Sequence, residues 1–281
     1  MKPAKQYLFG ALRAPRTAMR IQQRVQNPRL GPHSGPIALV SIVMLLFAGA
    51  AHAEQRQVSV IAGDAFALQG TYLPAEKGGP GILLLHQCNA DRRIYDQLAT
   101  MLNVAGYNVL TIDWRGFGGS RAGAFTDFGA QRQKIQELMP GDVDAALTFL
   151  SAQSTVISRA LGVVGGSCGV NQAVQASRRH PEIRTLVLLS GATDAQGEAH
   201  IKSSATLPIF GAASEEDTDA AAAIRKIVGL SAHPDSRAEI FKDAGHAASM
   251  FAKQQDLEAD IVIWFRANLP VAGYGLPPAI K

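Results

Sequence analysis

Short, uninterrupted apolar segments recur from residue 81 onward, and each leads into a stretch with helix-like spacing of apolar residues. They occupy residues 81–86, 108–113, 161–165, 185–190 and 207–213. Continuous apolar strands that alternate with helices are typical of a mainly parallel sheet covered on both faces. We therefore predict a doubly wound α/β fold, in which functional residues follow the carboxyl ends of the strands.

The remaining segments complete this arrangement. A strand pair is predicted at 57–61 and 67–72, and a last strand at 238–242. The predicted helices are 94–105, 142–153, 170–180, 219–229 and 247–268.

Residues 1–53 have the composition of an export signal. They hold seven of the 27 Lys and Arg residues and none of the 23 Asp and Glu residues, and 37–50 is an uncharged apolar run. The sequence AHA at 51–53 fits signal-peptidase cleavage. We predict cleavage after Ala53 and a single mature domain at 54–281 that is periplasmic or secreted. An uncleaved N-terminal anchor is the alternative. The mature domain is mildly acidic, so neither a nucleic-acid partner nor stable membrane insertion is expected.

The segment 161–169, LGVVGGSCG, places a serine beside a cysteine. With Ser167 at the centre the pattern G-x-S-x-G is complete. A frame centred on Cys168 has Val170 where the pattern requires its last glycine. A nucleophile on a sharp strand-to-helix turn needs small residues two positions before and after it. Ser167 is therefore the predicted nucleophile. A glycine-rich turn without catalytic function is the alternative interpretation.

A serine nucleophile needs a base and an orienting carboxylate, which follow it in the order acid, then histidine, in folds of this kind. His246 lies in AGHA, just before the last predicted helix, and is the predicted base. Asp217, which follows the strand at 207–213, is the first choice for the acid. Glu216 is the second choice, and Asp194, one strand earlier, is the third. The acids that follow the strand at 207–213 also precede a predicted helix, and their alternative role is to complement its dipole.

Five segments resemble motifs of the α/β-hydrolase superfamily. They are GGSCG after a strand, PIFGAASEED before a helix, AGHA, LLLHQCNADR and LTIDWRGFGGS. Within the superfamily, the chain looks most like the small dienelactone-hydrolase-like proteins. The resemblance covers about residues 58–268 and implies the α/β-hydrolase fold. Only about 16 residues separate the strands at 185–190 and 207–213, where these proteins usually insert a cap domain, so no cap is expected.

The resemblance also implies an oxyanion hole of two backbone N–H groups. Cys168 would supply one, and the loop after 81–86 the other, with Cys88 as first and Gln87 as second choice. In two respects the chain departs from the family: Ser167 stands where dienelactone hydrolases have cysteine, and Gln87 where most members have glycine. Two cysteines at these positions would either form a disulfide or remain two buried thiols.

The segment WRGFGG at 114–119 allows two interpretations. Arg115 is predicted to shape its loop, and binding of an anionic substrate is the alternative. Trp114, Phe117 and Phe125 either line an acyl pocket or pack the loop.

Together these features predict an exported serine hydrolase that cleaves a small-molecule carboxylic ester through Ser167, His246, Asp217 and an acyl-enzyme. Peptide or amide cleavage, acyl transfer and a non-catalytic binding protein on the same fold are the alternatives. The chain has no cysteine or histidine motif at metal-ligand spacing and no dinucleotide fingerprint, so neither a metal nor a cofactor is expected. The sequence does not determine the oligomeric state.

Overall fold

The computed structural model describes residues 54–273 and contains one eight-stranded sheet. Its strands are β1 (Arg56–Ile61), β2 (Ala67–Leu73), β3 (Gly79–Leu85), β4 (Asn108–Ile112), β5 (Val156–Gly166), β6 (Ile183–Leu189), β7 (Ile209–Ser214) and β8 (Arg237–Phe241). They lie in the order β1-β2-β4-β3-β5-β6-β7-β8. β2 pairs antiparallel with β1 and β4, and all other pairs are parallel. The carboxyl ends of β3 to β8 therefore meet at one edge, where ligands bind in open α/β sheets.

Helices cover both faces of this sheet. In the described part of the chain they are α1 (Asp96–Val104), α2 (Phe128–Ser151), α3 (Cys168–Arg179), α4 (Ala195–Ser203), α5 (Thr218–Leu230) and α6 (Leu257–Asn268). One apolar core contains Ile135 of α2, Val170 of α3 and Ile224 of α5. A second core contains Leu98 of α1 and Phe265 of α6. All residues of β3 are buried between the two cores. The predicted doubly wound α/β fold is confirmed.

Two predicted helices have different limits. The helix predicted at 142–153 is only the second half of α2, because the helix continues through Pro140 and Gly141 instead of beginning after them. These two residues weaken any sequence signal for a helix. The helix predicted at 247–268 is divided into a 3-10 turn, Ala247–Ala252, and α6.

The chain between β6 and β7 contains α4 and no inserted domain, so the predicted lack of a cap is confirmed. α4 itself is not among the helices predicted from the sequence. Asp194 caps this helix, because its Oδ1 atom accepts a hydrogen bond from the backbone N–H of Gly197 at 2.9 Å.

No helix within residues 54–273 has the length and apolar character needed to span a membrane. The predicted signal peptide, with its cleavage site after Ala53, lies outside the described residues.

Candidate active site

Ser167 occupies a sharp turn between β5 and α3. Its φ of 53° and ψ of −113° are strained for a residue other than glycine. The neighbouring glycines permit the turn. A Cβ atom at Gly165 would lie 2.4 Å from the carbonyl oxygen of Gly169, and one at Gly169 would lie 2.6 Å from that of Leu85. The glycines of the frame centred on Ser167 are therefore sterically required.

His246 contacts two of the other predicted site residues. Its Nε2 atom lies 2.8 Å from Oγ of Ser167, and its Nδ1 atom lies 2.5 Å from Oδ2 of Asp217. His246 follows β8, whereas Asp217 lies between β7 and α5. A neutral imidazole that donates from Nδ1 to the carboxylate has a free lone pair on Nε2 for the hydroxyl proton. The three side chains thus form a continuous hydrogen-bonded chain.

The two other candidate acids have different partners. Oε2 of Glu216 accepts hydrogen bonds from the Ser214 hydroxyl and from the backbone N–H of Asp243, both at 2.7 Å. The bond from Ser214 holds the pKa of Glu216 below its usual range. Asp194 caps α4 and accepts a hydrogen bond from Gln175. Neither acid contacts His246, so the structure brings only Asp217 of the three to the imidazole.

Cys88 and Cys168 form a disulfide, with their Cα atoms 5.9 Å apart. Cys168 is the first residue of α3 and Cys88 lies in the loop after β3. Among the described residues, neither backbone N–H group has a hydrogen-bond acceptor. Of the two outcomes that the sequence left open for the cysteines, the structure has the disulfide. It also places both free N–H groups beside the Ser167 turn.

Gln87 is buried, and both ends of its side-chain amide are occupied. Oε1 accepts a hydrogen bond from the backbone N–H of Ala248 at 3.1 Å, and Nε2 donates to Oδ1 of Asn89 at 2.7 Å. The side chain therefore connects the loop after β3 to the segment that follows His246. For this residue the sequence predicts only a backbone role, and its side-chain contacts are a finding of the structure.

His86 shapes the same loop from inside the protein. It is fully buried, and burial lowers its pKa to about 4. Its Nε2 accepts from the backbone N–H of Trp114 at 3.1 Å, so the ring proton is on Nδ1, which donates to the Gln87 carbonyl at 2.8 Å. Phe117 packs against the ring, with centroids 5.4 Å apart. Trp114 and Phe117 are both buried and pack the loop. They do not line the cavity described below.

Arg115 holds a loop together, as predicted. The buried guanidinium shares its Nε–H between both oxygens of the Asp142 carboxylate, which is also buried, and donates to it again from Nη2. It also pairs with Asp64 at 2.6 Å and stacks over the rings of Phe66 and Phe125. These contacts pair the guanidinium with two carboxylates, and Arg115 does not line the cavity described below.

A cavity of about 360 Å³ opens to solvent beside Ser167 and His246. Besides these residues and the disulfide, its described lining comprises Asn89, Phe128, Arg132 and Gln136. The Arg132 guanidinium is exposed and lies 5.5 Å from the centroid of the Phe128 ring. No carboxylate occurs in this described lining. Within residues 54–273, no group of three or more His, Cys, Asp or Glu side chains is placed to hold a metal ion.

Known proteins resemble this chain in sequence. A family model described as serine aminopeptidase, S33 matches residues 80–243, which is more than half of the chain. Uncharacterized proteins from two strains of Mycobacterium tuberculosis are each 32% identical to it over 152 residues. The match covers 53% of this chain and 48% of each relative, so it spans about half the length of the curated relatives.

Solved structures are similar to this chain as well. The dienelactone hydrolase of Anabaena variabilis matches with a TM-score of 0.63 at 18% identity, over 78% of this chain and 99% of that chain. The Pyrococcus furiosus esterase Pf2001 has a TM-score of 0.58 at 17% identity, over 77% and 93%. A cold-adapted esterase from an Arctic intertidal metagenomic library has a TM-score of 0.58 at 16% identity, over 76% and 94%. At these identities the similarity shows a shared fold and no more.

Proposed function

This chain belongs to the serine aminopeptidase S33 family of the α/β-hydrolase superfamily, and we propose that it is a serine hydrolase that cleaves small or medium-sized carboxylic esters. The observation that carries the proposal is the hydrogen-bonded chain from Asp217 through His246 to Ser167 at the carboxyl edge of the sheet. A carboxylate, an imidazole and a hydroxyl in this order make a serine nucleophilic.

The proposed reaction proceeds through an acyl-enzyme. Nε2 of His246 accepts the Ser167 proton as Oγ attacks the ester carbonyl carbon, while Asp217 orients the ring and stabilises the imidazolium. The backbone N–H groups of Cys88 and Cys168 stabilise the negative charge on the former carbonyl oxygen. His246 then donates its proton to the leaving alcohol. The same residue later activates the water that releases the acid from Ser167.

The charge of the cavity lining favours an ester over a peptide with a free N-terminus, which is the substrate that the family description suggests. An aminopeptidase must bind a free α-ammonium group, for which a nearby carboxylate is the natural partner. The described lining offers no carboxylate, and Arg132 adds a positive charge that repels an ammonium group. Because the cavity is open to solvent, water also reaches the acyl-enzyme, which favours hydrolysis over acyl transfer.

Export is part of the proposal. The basic and apolar composition of residues 1–53 supports a cleaved signal peptide, and the Cys88–Cys168 disulfide supports an oxidising compartment such as the periplasm. Edman sequencing of the protein recovered from that compartment should begin at Glu54. A mature protein that starts at Met1 would contradict export by cleavage.

A substrate panel tests the chemistry. We expect turnover of p-nitrophenyl esters that depends on acyl length, and a kcat/KM at least about a hundredfold lower for amino-acid p-nitroanilides, a difference of about 2.7 kcal/mol in activation free energy. Ser167→Ala should abolish ester turnover, whereas Ser249→Ala, a change of an exposed serine near His246, should leave it intact. Preferred cleavage of the anilides would favour the peptidase alternative. Folded protein that cleaves neither class would support the non-catalytic one.

A further inference from the structure

The loop that follows β3, residues 86–90 and called here the β3 loop, is covalently bound to the nucleophile segment. Its Cys88 is joined to Cys168, which follows Ser167 directly and lies 80 positions away from Cys88 in the sequence. Both cysteines are half-buried and line the cavity beside Ser167. The disulfide therefore borders the proposed reaction site, and solvent can reach it.

The preceding residue binds the same loop to the segment that carries the base. Oε1 of Gln87 accepts a hydrogen bond from the N–H of Ala248, two residues after His246, and Nε2 holds Asn89 within the loop. A glycine at this position would have no side chain with which to make either contact. Two consecutive residues of the β3 loop thus attach to the two other segments of the site.

Hydrogen bonds to the Gln87 carbonyl fix the direction of the Cys88 N–H group, which is one of the two proposed oxyanion donors. The Gln87 carbonyl accepts from Nδ1 of His86 at 2.8 Å and from the N–H of Ala90 at 3.2 Å. In a trans peptide the carbonyl and the following N–H point in opposite directions. The Cys88 N–H is therefore turned away from His86 and Ala90, and it has no acceptor among the described residues. The disulfide links this residue to Cys168, whose own N–H likewise has no acceptor within residues 54–273.

We propose that the β3 loop acts as a clamp: the disulfide and the Gln87 side chain hold the N–H groups of Cys88 and Cys168 at the spacing an oxyanion needs, so that reduction of the disulfide slows hydrolysis. This inference rests on the proposed function, because the oxyanion forms only when an ester acylates Ser167 and when water releases the acid. The two cysteine side chains and the Gln87 amide are positioning groups, since they act through the backbone donors.

Reduction changes the site by a defined step. A dithiol breaks the S–S bond, gives two electrons and two protons to form two cysteine thiols, and becomes a disulfide itself. Two unbonded sulfur atoms need more room than a bonded pair, so Cys88 and Cys168 move apart. The donors then fit the transition state less well, while the ground-state ester still binds. This predicts a lower kcat with little change in KM.

The chain has only two cysteines, so any effect of a dithiol on the protein acts through this bond. The experiment compares p-nitrophenyl ester kinetics of the mature protein before and after dithiothreitol, with the two thiols counted by alkylation and intact mass. Because a lost oxyanion donor lowers kcat roughly 10²- to 10³-fold, a displaced one should lower it roughly tenfold to a hundredfold. KM should change less than about threefold, and reoxidation should restore kcat. The double variant Cys88→Ala/Cys168→Ala should have the lower kcat and no response to dithiothreitol.

Other results would overturn the clamp. An unchanged kcat in protein with two counted thiols would refute it and leave the hydrolase proposal standing. A fall in kcat that only parallels a loss of circular-dichroism signal would assign the disulfide to stability alone. Oxidised protein without ester turnover would instead refute the proposed function, and the clamp with it.

The Gln87 contact tests the clamp without altering the disulfide. Gln87→Met keeps the size of the side chain and removes both hydrogen bonds, so it should lower kcat about tenfold with KM nearly unchanged. Gln153→Met is the matched control, because the Gln153 side chain bonds only the Phe149 carbonyl of α2 among the described residues, and its replacement should leave kcat unchanged. Equal kcat values for the Gln87 variant and the wild type would contradict the clamp.

Discussion

Nε2 of His246 lies 2.8 Å from Oγ of Ser167, although 79 residues separate them along the chain. The two residues come from opposite sides of β6 and β7, which lie between β5 and β8 in the sheet. Parallel strands bring the loops at their carboxyl ends to one edge, so that distant residues meet there. The strained turn at Ser167 then directs its hydroxyl toward the imidazole.

The identity of the acid can be tested with two isosteric changes. Asp217→Asn removes the carboxylate that orients His246, and we expect kcat to fall roughly 10³- to 10⁴-fold. Glu216→Gln changes a carboxylate that bonds Ser214 and Asp243 instead, and kcat should fall less than about tenfold. Steady-state kinetics on one ester distinguishes the two. A larger loss of kcat in the Glu216 variant would show that Asp217 is not the catalytic acid.

Two glycine substitutions, one in the nucleophile turn and one in α2, should have opposite effects on stability. In Gly169→Ala, the new methyl group would lie 2.6 Å from the Leu85 carbonyl oxygen, and the free energy of unfolding should fall by about 1–3 kcal/mol or more. In Gly141→Ala, apart from its chain neighbours and the nearby backbone of α2 itself, the methyl group meets no atom within 4 Å, and stability should rise by about 0.5–1 kcal/mol. Urea denaturation measures both. A Gly169 variant as stable and active as the wild type would contradict the proposed geometry.

His86 should make the stability of the domain depend on pH. Because burial lowers its pKa from 6.5 to about 4, the unfolded chain binds this proton more readily than the folded protein does. The free energy of unfolding should therefore fall as the pH drops from about 6.5 to about 4, by about 3 kcal/mol from this group, and the loss should level off below that range.

The His86→Gln variant isolates this effect. Urea denaturation of wild type and variant across that pH range should show a much weaker pH dependence in the variant. His200→Gln is the matched control. The pKa of His200 is also lowered by burial, but this residue is only half-buried, so its replacement should remove a smaller part of the dependence. Identical pH profiles for the wild type and the His86 variant would contradict a buried neutral imidazole.

Features that depend on local sequence patterns could be predicted from the sequence. The apolar strands, the glycines around Ser167 and the AGHA segment at His246 are local patterns, and the structure places each where the pattern predicts. The choice of acid was only a ranking, because Glu216 and Asp217 are adjacent. Side-chain direction decides which of them reaches His246, and a sequence does not show that direction.

Contacts between distant segments could not be predicted. The Gln87 amide bonds Ala248, which lies 161 residues away, and no pattern at either position indicates the pairing. The first half of α2, with Phe128 and Arg132, was missed because Pro140 and Gly141 weaken the helical signal. Its one usable signal is Asp127, which caps the helix by accepting the N–H of Ala130.

Intact-protein mass after treatment with a fluorophosphonate tests the central proposal most directly. We expect one phosphonyl adduct per wild-type molecule, located on Ser167 by peptide mapping, and strongly slowed labelling in His246→Gln because the hydroxyl loses its base. Ser167→Ala should remain unlabelled and inactive toward esters. Folded wild-type protein without an adduct, or an adduct that persists in Ser167→Ala together with full ester turnover, would contradict Ser167 as the nucleophile.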